Sequence, residues 1–72
     1  MNIDILFDTP TLEGMQDRVN LHFEQGMKIH KEKLSVFEAY QVRPKERFVP
    51  EIWLYRIIGK NGKYYFGKLK DE

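Results

Sequence analysis

Residues 51–70 read EIWLYRIIGKNGKYYFGKLK, and this stretch decides the fold. Ile52-Trp53-Leu54-Tyr55-Arg56-Ile57-Ile58 is almost wholly β-branched or aromatic, the strongest strand signal in the chain. Tyr64, Tyr65, Phe66 and Leu69 mark a second run. Between the two lies Asn61-Gly62, the dipeptide that favours a two-residue hairpin turn because both residues tolerate positive φ. The expectation is a hairpin of strands 51–58 and 63–70.

A two-residue turn also sets a register. Lys60 faces Lys63, and the pairs run Ile58/Tyr65, Ile57/Phe66, Arg56/Gly67, Tyr55/Lys68, Leu54/Leu69 and Trp53/Lys70. Partners directly opposite one another share a face. One face then holds Ile52, Leu54, Ile58, Tyr65 and Leu69, and is mainly aliphatic. The other holds Trp53, Tyr55, Ile57, Tyr64 and Phe66 with Lys68 and Lys70, and is aromatic and basic. A three-residue turn with Gly62 in a bulge would slip the register by one and exchange the faces.

Upstream, Val36, Tyr40 and Val42 alternate with Phe37, Ala39 and Gln41, so 34–43 reads as a strand. Pro44 and Pro50 bracket a loop that cannot be a central strand throughout. Before it, Leu12, Met15, Val19, Phe23, Met27 and Leu34 recur near every 3.6 residues, with His30 filling the one gap. Thr9 offers a cap and Pro10 suits a first helical position. These signals predict an amphipathic helix over 10–33, with Gly26 the place for a break or bend. A rival reading makes Val19, Leu21 and Phe23, then Met27 and Ile29, a strand pair broken near Gly26. At the start of the chain, Ile3, Ile5 and Phe7 alternate over 1–7 as in a short strand.

The expected architecture is a single α+β domain over 1–72. One long helix packs on a three-stranded antiparallel meander, with 1–7 as a candidate added strand. A single helix covers one face of a sheet. The aliphatic face matches the helix stripe, which leaves Trp53, Tyr55, Tyr64, Phe66, Lys68 and Lys70 as the candidate interaction surface. Three uses of it compete. It is a second layer of the core, covered by the 44–50 loop or by 1–7. It docks a protein partner, a second copy in a homodimer included, as exposed aromatic patches do. Or it binds nucleic acid by stacking bases on rings among lysines.

The chain has 72 residues, 42% of them hydrophobic, and a net charge of +1 that averages two unlike halves. Residues 1–26 hold five carboxylates against Arg18, a net of −4, whereas 27–72 hold eleven basic residues against six acidic ones, a net of +5. Such asymmetry marks either a contact with an anionic partner or a solvated face. The chain has no cysteine, which excludes disulfides, cysteine zinc sites and a thiol nucleophile. No apolar run nears the ~20 residues of a membrane span, and no signal-peptide pattern is present, so the expected location is cytoplasmic.

Catalytic chemistry is not legible. His22 and His30 would lie about 12 Å apart on a helix, too far to share a metal. His30, on the apolar stripe, reads as a packing residue. Ser35 stands without triad context, and no phosphate-binding or nucleophile-elbow motif occurs. Gly59-Lys60-Asn61-Gly62-Lys63 has the ingredients of a phosphate cradle, but a hairpin tip accounts for it. The expectation is a non-enzymatic interaction module with no catalytic residue, metal, cofactor or small-molecule substrate. In its brevity, its Lys/Ile/Tyr-rich strands and its lack of cysteine, the chain looks like the small accessory proteins of low-GC bacteria and their phages.

Overall fold

The computed structural model describes residues 2–33, 38–47 and 50–70. In chain order it holds β1 (Asn2–Thr9), α1 (Leu12–Phe23), β2 (Met27–Lys33), β3 (Glu38–Pro44), a 3₁₀ helix (Pro50–Leu54), β4 (Tyr55–Lys60) and β5 (Lys63–Lys70). The strands form one sheet in the order β1-β5-β4-β3-β2. The α+β class is as expected; the sheet has five strands rather than a three-stranded meander. Part of the expected strand 34–43, residues 34–37, lies outside the described residues.

The hairpin follows its sequence. Asn61 and Gly62 have φ of 54° and 76°, as the two-residue turn requires. Lys60↔Lys63, Ile58↔Tyr65, Ile57↔Phe66, Arg56↔Gly67 and Tyr55↔Lys68 pair as the turn dictates. The expected pairs Leu54/Leu69 and Trp53/Lys70 do not form. Trp53 and Leu54 belong to the 3₁₀ helix that follows Pro50, and β5 continues against β1 instead, with Ile3↔Leu69 and Asn2↔Lys70.

The helix is half the expected length. It starts two residues late, with Thr11 as the cap: the Thr11 hydroxyl accepts from Gly14 N–H at 3.0 Å, while Thr9 donates to the Thr11 carbonyl at 2.8 Å. It ends at Glu24, which takes the left-handed conformation (φ 54°) usual after a helix. Residues 27–33 are β2, so the rival strand reading holds for Met27 and Ile29, and the helix reading holds to Phe23. Two side chains fix the switch. Asn20 Oδ1 accepts the Met27 N–H at 2.9 Å, and Gln16 Nε2 donates to the Met27 carbonyl at 2.7 Å. One turn of α1 thus satisfies both backbone groups of the first residue of an edge strand. Met27 is buried from a strand, although its spacing also fits the helical stripe.

Geometry explains why the shorter helix wins. Four antiparallel steps leave β1 and β2 parallel at opposite edges of the sheet. The chain must therefore both cross about 19 Å of sheet and return the length of a strand between them; twelve helical residues, rising about 18 Å, span that diagonal together with residues 10–11 and 24–26 at either end.

The core lies between α1 and one sheet face. Met15 and Val19 of α1 pack with Met27, Tyr40, Val42, Ile57 and Phe66, and Ile52 of the 3₁₀ helix completes the cluster. β1 joins through a bulge. Ile5 pairs with Gly67, Phe7 pairs with Phe66, and the extra residue between them turns Phe7 onto the helix side.

Gly67 permits this pairing. A Cβ there would meet the Asp4 carbonyl oxygen and Ile3 Cγ1, each at 2.7 Å. Since backbone cannot swing aside as a side chain can, Gly67→Ala should cost about 1–3 kcal/mol. Gly59→Ala, where a Cβ would meet the Tyr64 ring at 3.2 Å, should cost less. Urea unfolding of the two variants checks the ranking. Hydrogen exchange should show the Gly67→Ala loss concentrated in β1 and β5.

Candidate interaction surface

The helix covers the aromatic face, not the aliphatic one. Phe66 is fully buried and stacks between Phe7 (ring centroids 4.9 Å) and Tyr55 (5.2 Å), while Phe23 and His22 of α1 meet the same rings edge-on. Tyr64 is half-buried and packs against the core. Tyr55, Tyr64 and Phe66 are therefore packing residues under the helix. Lys68 and Lys70 share their face but are exposed, with Lys70 Nζ 3.8 Å from an Asp4 carboxylate oxygen. Trp53 is separate from all of these. It sits in the 3₁₀ helix, 43% exposed, with the Arg43 guanidinium 5.2 Å from its ring. The six residues of the candidate surface do not form one open patch.

What stays open is the opposite face, with Ile3, Ile5, Ile58, Tyr65 and Leu69 on β1, β4 and β5. The hairpin register groups Ile58, Tyr65 and Leu69 as expected, but their face lies away from the helix rather than beneath it. Ile52, assigned to the same set, instead plugs the core at 2% exposure because the 3₁₀ turn reverses its direction. Ile5 is 45% exposed. Ile3, Ile5, Ile58, Lys60, Asn61 and Tyr65 line an open depression of about 400 Å³. Ile3 and Ile5, legible as strand residues, are assigned to this face only by their pairing with β5.

Charge surrounds this patch unevenly. By strand alternation Lys28, His30, Arg43, Arg56, Lys60 and Lys63 point to the open face, with Asp8 and Glu32. His30, expected in packing on a helix, is an exposed strand residue. Arg56 is engaged: its Nε lies 3.3 Å from Glu32 Oε2, and it donates to the Trp53 and Tyr55 carbonyls at 2.6 and 2.8 Å. That leaves Lys28, Arg43, Lys60 and Lys63 against Asp8, so the open face is apolar with a cationic border. The outer side of α1 has the reverse sign. Glu13, Asp17 and Glu24 are exposed there around Leu21, while Arg18 is drawn back over the Phe7 ring at 4.6 Å.

A polar chain marks the helix side of β3. Tyr40 donates to Glu38 Oε2 at 2.9 Å, and Lys31 Nζ lies 3.3 Å from Glu38 Oε1. The Tyr40 bond, and next Lys31, hold the Glu38 carboxyl below its ordinary pKa. Burial first, then the Glu38 carboxylate, pushes the Tyr40 phenol up to about 12. Among the described residues no group of three or more His, Asp or Glu could hold a metal ion. No described helix is long and apolar enough to cross a membrane.

Compared with known proteins, the chain matches no family model, no curated protein and no solved structure.

The Tyr40 shift carries a sign. The folded state keeps its proton to about pH 12, and the unfolded chain releases it near 10. The contribution of Tyr40 to stability is whole below pH 10 and is lost as pH rises towards 12. Absorbance at the phenolate band should show a titration step well above the ordinary phenol value of about 10. Tyr40→Phe should remove that late step and flatten the fall in urea midpoint across the same window.

Proposed function

We propose that this is a non-enzymatic protein-docking module, and that the face of the sheet away from α1 is its docking surface. One observation carries the reading: Ile3, Ile5, Ile58, Tyr65 and Leu69 lie together on a sheet face that no described element covers. Apolar side chains gathered on an open sheet face mark a contact surface rather than a solvated one. Their chemistry is aliphatic at the centre and cationic at the border, which suits an apolar protein surface edged by carboxylates. Nucleic acid is favoured less, since three of the rings expected to stack bases are held under the helix.

Docking is face-on rather than edge-on. The bulge between Ile5 and Phe7 interrupts one edge strand. The other edge strand carries Lys28, His30 and Lys31. Bulges and edge lysines are the devices that prevent strand-to-strand pairing.

A photo-cross-linking benzoylphenylalanine in place of Tyr65 tests the reading in the cells that make the protein. Protein adducts of defined mass should form, and they should vanish when Ile5→Lys is added. The same cross-linker in place of exposed Glu51, in the 3₁₀ helix, should give none. A nucleic-acid adduct, no adduct, or one indifferent to Ile5→Lys would overturn the proposal.

A further inference from the structure

The open sheet face and the outer side of α1 lie on opposite sides of the molecule and differ in charge sign. Leu21 stands out from the helix, 74% exposed, the most exposed of the chain's large apolar side chains among the described residues. Asp17 precedes it by four residues and Glu24 follows it by three, so both flank it on the helix surface. Together with Asn20, Gln25 and Gly26 these residues form a shallow apolar shelf at the end of α1. Across the molecule, the depression has a floor of Ile3, Ile5, Ile58 and Tyr65, with Lys60 at its edge and Lys63 beside it. One surface is an apolar knob between carboxylates. The other is an apolar hollow beside ammonium groups.

We infer that the occupant of the open sheet face is a second copy of this chain, docked through the outer side of its α1 with Leu21 in the hollow and Asp17 and Glu24 towards Lys60 and Lys63. This rests on the docking reading above. Charge disfavours the simpler arrangement in which two open faces pack together: it would bring two predominantly cationic borders, each with Lys28, Arg43, Lys60 and Lys63, against one another, and juxtaposed like charges oppose association. The contact is heterologous, since each copy offers a helix to one neighbour and a sheet to another. Such contacts propagate unless the rotation closes a ring. A twelve-residue helix on part of a sheet buries less than a standard interface of about 1,600 Å², so the association is weak, micromolar to millimolar. Charged contacts at its border make it weaken about tenfold between low salt and about 0.5 M salt, where screening shortens to a few ångströms.

Sedimentation of the purified chain across concentration tests this. The wild type should grow beyond a dimer, and more so at low salt. Leu21→Lys spoils only the helix surface, and Ile5→Lys only the sheet surface. Both positions are exposed, so each variant should keep the wild-type circular dichroism and remain monomeric alone. Mixed in equal amounts, they should form a one-to-one dimer that grows no further, because one intact helix surface and one intact sheet surface remain. A wild type monomeric to about 1 mM, the weak end of that range, would overturn the inference. So would a Leu21→Lys variant that associates as the wild type does, or a mixture that stays monomeric. The cellular cross-link judges the docking reading separately. An adduct with the mass of another protein keeps that reading and removes the second copy as occupant.

Discussion

One helix of twelve residues can shield one side of a five-stranded sheet, and the rest of this structure answers to that limit. The shielded side receives the bulkiest groups: Phe66 at the centre, Phe7 and Tyr55 stacked on its two sides, and Phe23 edge-on from the helix. Aromatic side chains bury the most area per residue and gain further from offset and edge-on contacts. The unshielded side keeps Ile3, Ile5, Ile58, Leu69 and Tyr65, diluted by lysine and arginine. A small domain cannot bury both sides by itself, because its surface grows too large relative to its volume.

The hairpin was legible because its information is local. Asn61-Gly62 specifies the turn, the turn specifies the register, and the register specifies which residues share a face. The helix was legible only to Phe23. Beyond it, Met27 satisfies a 3.6-residue period and a strand at once. What separates the two readings is non-local: the hydrogen bonds of Gln16 and Asn20 to Met27, and the distance from β1 to β2. The face assignment failed for the same reason. Which side a crossover helix covers depends on the hand of the connection between two parallel strands. With 27–33 read as helix, no such crossover exists to be considered. Trp53 and Leu54 were misplaced by composition. Their side chains favour strands, but the preceding proline and the need to turn Ile52 into the core made 50–54 a 3₁₀ turn.

The candidate surface was legible in part and for a partly mistaken reason. That more apolar sheet existed than one helix could cover followed from counting. Ile58, Tyr65 and Leu69 were grouped correctly by register. Ile3 and Ile5 join them only through β1, whose partners Leu69 and Gly67 lie 66 and 62 residues further along the chain. The asymmetry of charge, by contrast, carried over directly. The acidic first third supplies the outer side of α1, and the basic remainder supplies the border of the open face. A sequence dipole has become a dipole across the thickness of the fold.

That polarity and the state of the sheet edges constrain each other. A strand edge exposes unpaired backbone groups that pair with any other edge, regardless of side-chain chemistry. Here the bulge in β1 and the lysines of β2 oppose such pairing at both edges, so in the proposed docking selectivity would fall to the faces. A face recognises by side chain, and its cations discriminate against partners of their own sign. The hairpin end of the sheet reinforces this, since Lys60 and Lys63 are directly opposed and their mutual repulsion is tolerated beside exposed, solvated positions. An anionic surface brought against that end would relieve the repulsion as well as form new pairs. The like-charged pair costs a little stability in the free domain, and under the proposed docking that cost would bias the domain towards an anionic partner.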